Sequence, residues 1–260
     1  MIMTEISNVQ QSRRLNFSWV PGIFFHPKRS FQHISSYTNP VWLTPLLILS
    51  VAVLISVLLT GRIKNQAALM GEITYPPDFQ YYTAEQQAQY MQAIQSTQGP
   101  VFVYVLPAIT SLLGVWFGWL ILGGMLHLVT TLFGGRGNTA ISMNIVAWSS
   151  LALVVREVVQ IVYMLITKNL ISNPGLSGFS LPGDSGWPVI VGQILRLIDI
   201  YIIWQILLLI LGVRLSTGLN PTKSTIAVLI TVLIILLLQT GLSYLVSVLG
   251  NLTITRPFFF

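Results

Sequence analysis

The chain alternates long apolar stretches with short polar ones, and five of the apolar stretches are long enough to cross a bilayer. A hydrocarbon core of about 30 Å needs roughly 20 residues of α-helix. The second stretch, about 50 Å long as a helix, holds no turn signal, which indicates one tilted helix with Pro107 as the candidate kink. The pattern predicts an all-α, polytopic membrane bundle of five transmembrane helices. The predicted spans are residues 41–60, 101–133, 140–167, 188–212 and 224–249.

The segment before the first span has a helical pattern of its own. Pro27 suits the first position of a helix, and Phe31 and Ile34 then share one face. One interpretation is a short amphipathic helix at the membrane interface, with Lys28 and Arg29 at the level of the headgroups. The alternative is a linker whose phenylalanines pack on the bundle.

The two long loops between the spans differ in the structure that they predict. In the first long loop, Thr83 and Gln86 form a capping-box pattern, which predicts a short helix after Thr83. The loop at residues 168–187 is rich in Gly, Ser and Pro and is expected to be irregular. We expect three segments. Residues 1–40 form a cytosolic tail with the amphipathic helix, residues 41–249 form a membrane domain, and residues 250–260 form a short C-terminal tail.

Composition confirms the membrane class and excludes others. Of the 260 residues, 53% are hydrophobic and 8% are charged, whereas a globular domain averages about 25% charged residues. The mean hydropathy is +0.75. No cysteine is present, which excludes disulfides and thiolate metal sites. The net charge of +6 comes from scattered cations without a basic stripe, so we expect no nucleic-acid partner.

Lysine and arginine positions predict the orientation, because cytosolic loops carry an excess of these residues. With the N-terminus inside and the C-terminus outside, seven cations face the cytosol and four face outward. The inner cations are Arg13, Arg14, Lys28, Arg29, Arg136, Arg214 and Lys223. The outer cations are Arg62, Lys64, Lys168 and Arg256.

Four ionisable residues interrupt the third and fourth spans at nearly the same depth. Arg156 and Glu157 lie about 15 Å from the outer end of their helix. The fourth span begins on the same side of the membrane, and Arg196 and Asp199 lie at a similar depth along it. Unpaired charges facing lipid cost about 2.5–3.5 kcal/mol each. We therefore predict cross-helix pairs between Arg156 and Asp199 and between Glu157 and Arg196, a network that Gln160 extends. A balanced set favours a structural role, and the alternative is a transport path or proton relay.

The sequence shows no catalytic constellation. His127 stands alone in the second span without an HExxH motif, so a zinc protease is unsupported. Gly114 and Gly118 form a GxxxG pattern that permits close helix approach. We expect no enzymatic activity, no catalytic residues, no metal site and no cofactor.

Several segments, in order and spacing, resemble the Yip1-domain family of five-span membrane proteins. They are FFHPKRSFQHI with Pro27 and Phe31, then LHLVTTLFGGRG, MNIVAWSS and LIDIYIIWQILLLILGVRLSTGLNPTKSTIAVLI with Asp199, Trp204 and Gly212. The resemblance covers about residues 21–249. The third span departs from the family pattern, since no proline follows Ala147-Trp148-Ser149 and the Arg156–Glu157 pair is not a family feature.

The resemblance implies a role among membrane proteins. Eukaryotic members associate with small GTPases and with one another in early secretory membranes, whereas prokaryotic relatives mostly lack an assigned role. The simple loops resemble those of a prokaryotic member, in the cytoplasmic membrane. We therefore expect a scaffold or accessory protein that contacts the lipid bilayer and binds other membrane proteins, such as an exporter complex or a second copy of itself. The alternative is a small transporter or channel that uses the charged cluster.

Overall fold

The computed structural model describes residues 15–37, 39–69, 79–180 and 187–254. All regular secondary structure within these ranges is helical. The predicted all-α fold is confirmed. The α-helices are α1 (Val20–Phe25), α2 (Pro27–Ser35), α3 (Leu43–Leu69), α4 (Ala84–Thr97), α5 (Leu106–Leu132), α6 (Thr139–Ser149), α7 (Leu151–Thr167), α8 (Trp187–Leu197), α9 (Ile200–Ser216) and α10 (Pro221–Ile254).

Four helical segments of the described chain are long and apolar enough to cross a bilayer. They are Leu43–Ala67, Val101–Leu132, Thr139–Thr167 and Pro221–Tyr244. A further crossing requires α8 and α9 to act together, and these two helices are bent by 64° at a short break. The fourth predicted span, residues 188–212, therefore consists of two helices with a bend between them.

The helix of the first predicted span is longer than that span. It continues past Gly61 and Arg62 to Leu69, about two and a half turns beyond residue 60. Glycine only weakens a helix interior, and arginine and lysine are good helix formers, so nothing in this stretch stops the helix.

The second span is one helical unit, as predicted. A π-helical turn at Val101–Val105 leads directly into α5, and Leu106 N donates to Val101 O. Pro107 follows at once, and its ring nitrogen has no hydrogen to donate to the preceding turn. The irregularity is a local widening at the start of the helix.

One end of the bundle carries the N-terminal segment and is called the N-terminal end below. Two connecting loops meet there, since Arg136 N donates to Thr217 O at 2.9 Å. The buried Asn144 side chain accepts a hydrogen bond from Val41 N at 2.9 Å and donates to Asn39 O at 3.0 Å. These bonds tie the chain before α3 to α6 and fix how the first span enters the bundle.

The amphipathic helix predicted before the first span forms as α2, and its apolar face contacts protein. Phe31 and Ile34 are fully buried, and α2 packs against α6 and α9. Gly212 makes room for Phe31, because a Cβ atom there would lie 3.2 Å from a Phe31 ring carbon. The structure thus agrees with the packing alternative for this face, while Lys28 and Arg29 on its other side are exposed.

The long first loop contains the predicted capped helix. Thr83 Oγ1 accepts a hydrogen bond from Gln86 N at 3.3 Å, and Gln86 Oε1 accepts one from Thr83 N at 2.9 Å. None of the residues of α4 is buried. The described part of the loop after α7 is irregular, as predicted, apart from a 3-10 turn at Ser177–Phe179.

Candidate functional site

The predicted contact between the third and fourth spans is present in the charged cluster. Arg156 Nη1 lies 3.6 Å from Asp199 Oδ2, and Arg156 Nη2 lies 3.4 Å from Glu157 Oε1. The second contact was not predicted from the sequence, because adjacent side chains on a helix do not face each other. Arginine is long enough for its guanidinium to reach back to the adjacent carboxylate. One cation is therefore placed between two carboxylates.

The predicted pair between Glu157 and Arg196 is not formed. Among the described residues Arg196 makes no ion pair and its side chain is exposed, while Glu157 is buried. The break and the 64° bend after α8 give Arg196 a different direction from the one expected on a straight helix. Gln160 makes no side-chain hydrogen bond within the described chain, so it does not extend the network.

Asp199 has a second role that the sequence reasoning missed. It lies outside α9 with extended backbone angles, and its Oδ1 accepts a hydrogen bond from Ile202 N at 2.7 Å. This is the geometry of an N-cap, which satisfies a backbone donor at the start of a helix. The signal was in the sequence, since aspartate is among the preferred N-cap residues and here interrupts an apolar run.

The loop after α7 holds the break between α8 and α9 in place. Leu176 N donates to Leu195 O at 2.9 Å and to Ile198 O at 3.1 Å. Gly175, at a φ of 63°, allows this approach, because a Cβ atom would lie 2.7 Å from Ile198 O. Leu195 O in the last turn of α8 and Ile198 O in the break therefore have a partner inside the protein, as backbone polar groups in a membrane require.

A cavity of about 400 Å³ lies among α3, α5, α7, α9 and α10, with the end of α8 in its wall. Its lining is mainly leucine, isoleucine and valine with one tryptophan, Trp119. We call it the central cavity. Polar side chains in its wall include Ser111, Arg156, Glu157, Arg196, Gln205 and Gln239.

A second cavity of about 320 Å³ adjoins the first. It is lined by α3 and the start of the second span, and it extends to Lys64. Val53, Ser111 and Glu157 line both cavities. Glu157 thus lies where the two spaces meet, a position that sequence spacing alone did not reveal.

Four positions that carried the family resemblance meet at the N-terminal end. Pro27 is the first residue of α2 and Phe31 packs on Gly212. The Trp204 ring lies 5.7 Å from that of Phe24, measured between centroids. These contacts join the N-terminal segment to α9, about 180 positions further along the chain.

The comparison with family models agrees with this arrangement. The model of the Yip1 domain matches residues 22–243, which is most of the chain. The protein belongs to the Yip1-domain family. No curated protein matches the chain, and no solved structure matches it.

In this Yip1-domain protein, the matched range contains both the Phe31–Gly212 contact and the Arg156–Asp199 contact. The family and the apolar helices show an integral, multi-pass membrane protein in contact with the lipid bilayer. Within the described residues no group of three or more His, Asp or Glu side chains is placed to hold a metal ion. His127 Nδ1 is buried without a hydrogen-bond partner there.

Proposed function

We propose that this Yip1-domain protein is a membrane scaffold or accessory subunit that binds other membrane proteins and performs no catalysis. The observation that carries the proposal is a cationic surface at the N-terminal end. Five exposed cations lie there, and no aspartate or glutamate of the described chain lies with them. They are Lys28, Arg29, Arg136, Arg214 and Lys223.

This surface is held in a defined shape, which favours binding. Phe31 and Ile34 anchor α2 to the bundle, so Lys28 and Arg29 on the opposite side of α2 are presented from a packed helix. A preformed surface loses little conformational freedom on association. An acidic segment next to the membrane in a partner protein, such as a component of an exporter complex, would complement it electrostatically.

The charge distribution also supports an orientation for the scaffold. An excess of cations marks the cytosolic side, so the N-terminal end faces the cytosol of what we take to be a prokaryotic cytoplasmic membrane. If α8 and α9 cross together, the chain has five crossings and its C-terminus lies outside. Three further cations were counted in the prediction of orientation but lie outside the described residues. They are Arg13, Arg14 and Arg256.

Charge reversal of α2 tests the scaffold proposal. We expect Lys28→Glu combined with Arg29→Glu to reduce the co-purifying membrane partner to background after mild solubilisation. Both residues are exposed, so the amount and thermal stability of the folded protein should not change. Arg62→Glu combined with Lys168→Glu, at the opposite end, is the matched control and should keep the partner. Equal recovery of the partner with all three proteins contradicts the proposal, provided that a C-terminal reporter shows unchanged topology.

A second candidate function, a small transporter or channel, is favoured by the two adjoining cavities. Glu157 lines both of them, and the second extends toward the outer end at Lys64. A buried carboxylate between two adjoining cavities is a suitable relay for protons across the middle of a membrane.

Proton flux into proteoliposomes tests this candidate. If Glu157 relays protons, Glu157→Gln should reduce flux, measured with a pH-sensitive dye inside the vesicles, to the level of protein-free vesicles. Glu85→Gln on the exposed helix α4 is the matched control and should keep full flux. Wild-type protein that shows no flux above empty vesicles rules out the proton path and leaves the scaffold proposal intact.

A further inference from the structure

We propose that the central cavity binds a single-chain anionic amphiphile, a molecule with a carboxylate or phosphate head and one acyl chain. The cavity volume of about 400 Å³ lies in the range of small-molecule sites, roughly 300–1,000 Å³. This inference does not depend on the scaffold proposal, because it concerns the protein alone.

The wall of the cavity changes character along its length. Leu46, Val146 and Leu209 line it about 5–10 Å from the N-terminal end of the bundle, judged by the α-helical rise. Arg156 and Gln239 line it at about 26–27 Å. The space is therefore elongated, with an apolar half toward the N-terminal end and a polar half near the charged cluster. An amphiphile oriented along the helices matches this division.

The charges of the polar half favour an anionic head. Two guanidinium groups, those of Arg156 and Arg196, line the central cavity, against one carboxylate, that of Glu157. Asp199 pairs with Arg156 but is not among the lining residues. The wall thus carries a net positive charge.

Both arginines have hydrogen-bonding capacity left over. Arg156 Nε is buried and has no acceptor in the described chain. Its contacts at 3.4 and 3.6 Å are longer than the roughly 2.7–2.9 Å of well-made charged hydrogen bonds. Arg196 has no ion pair among the residues that the structure describes. A carboxylate or phosphate placed between the two arginines would supply the missing acceptors.

Glycines on α5 leave room for the acyl chain. Gly114 and Gly118 line the cavity, and a Cβ atom at either position would meet nothing within 4 Å. The GxxxG pattern of the sequence therefore opens onto the cavity and is not filled by another helix. A larger side chain at Gly118 enters free space, so it can reduce the cavity without forcing neighbouring atoms apart.

Binding of tritiated palmitate to purified full-length protein in nanodiscs tests the proposal. We expect saturable binding that unlabelled palmitate and palmitoyl lysophosphatidic acid displace, while hexadecanol and inorganic phosphate do not. Displacement by lysophosphatidic acid at lower concentration than palmitate identifies a phosphate head as preferred, and the reverse order identifies a carboxylate. Both results support a site for an anionic head on an acyl chain. If hexadecanol displaces palmitate as effectively as unlabelled palmitate does, the site does not require an anionic head and the proposal is overturned.

Two variants locate the site. Arg196→Gln removes an exposed charge that has no ion pair within the described ranges, and it should weaken palmitate binding at least about tenfold without changing thermal stability. Gly118→Leu should abolish binding by filling the cavity, whereas Gly124→Leu on the same helix should bind like the wild type. Gly124 also has nothing within 4 Å of a Cβ atom but does not line the cavity. Palmitate binding unchanged in Gly118→Leu overturns the proposal, whatever the partner-binding or flux experiments show.

Discussion

Replacing Asp199 with alanine is expected to lower the free energy of unfolding by about 3 kcal/mol. Two contacts are lost together. The N-cap bond to Ile202 N at 2.7 Å disappears, which costs about 1 kcal/mol. Arg156 also loses a partner at 3.6 Å, and a partly buried cation with fewer partners is costly inside a membrane. Arg156 keeps Glu157, which makes the loss smaller than that of an isolated buried pair.

Asparagine at the same position separates the two contributions. Asp199→Asn keeps an oxygen that can cap α9 but removes the negative charge, so its loss should be about 1 kcal/mol smaller than that of the alanine variant. Thermal and denaturant unfolding in detergent, followed by tryptophan fluorescence, measures both variants. The seven tryptophans of the chain supply the signal.

A double-mutant cycle with Arg156→Gln checks the ion pair. Because the two side chains are in contact, the losses in Asp199→Asn and Arg156→Gln should not add in the double variant. Additive losses would show that the pair contributes nothing. A charge swap, Arg156→Asp with Asp199→Arg, is a poorer test. It places a new carboxylate beside Glu157 and removes the cap of α9.

Phe31→Ala is expected to cost about 3–5 kcal/mol and to release the N-terminal segment from the bundle. The Phe31 side chain is 1% exposed and packs against α9 at Gly212. Removing the ring leaves a cavity between α2 and α9 that the packed helices cannot close. The measurements are the unfolding midpoint and the rate of limited proteolysis before residue 40.

Phe25→Ala is the matched control, because Phe25 is 77% exposed in the same segment. It should change neither stability nor proteolysis. Gly212→Val tests the same contact by adding a larger side chain on α9. A Cβ atom there would lie 2.6 Å from Ile145 Cγ2, and overpacking of this kind costs about 1–3 kcal/mol. Equal proteolysis of the Phe31 and Phe25 variants would show that the packing of Phe31 does not hold the segment.

The elements themselves were largely predictable. Apolar length located the membrane helices, and the Thr83–Gln86 pattern located the start of α4. The helix of the first predicted span extends beyond residue 60, since a helix tolerates Gly61 and the cations Arg62 and Lys64. The break at Asp199 was missed because the residue was considered only as a charge, although its capping preference was visible.

The candidate site was predictable only in part. The depth of Arg156 and Asp199 along their helices led to a correct contact. The partner expected for Glu157 was wrong, because a bend of 64° cannot be derived from spacing along a straight helix. The central cavity had no sequence signal either, since its wall combines residues from seven helices.

The sequence by itself determined the membrane class, the Yip1-domain membership and the approximate bounds of most helices. These properties depend on local quantities: hydropathy over about 20 residues, capping preferences and short motifs. Only the tertiary structure decided that α2 turns its apolar face to protein, that Arg196 has no ion pair within the described residues and that Glu157 lines two adjoining cavities. These properties depend on how helices distant in sequence are placed against one another, which periodicity along one helix does not specify.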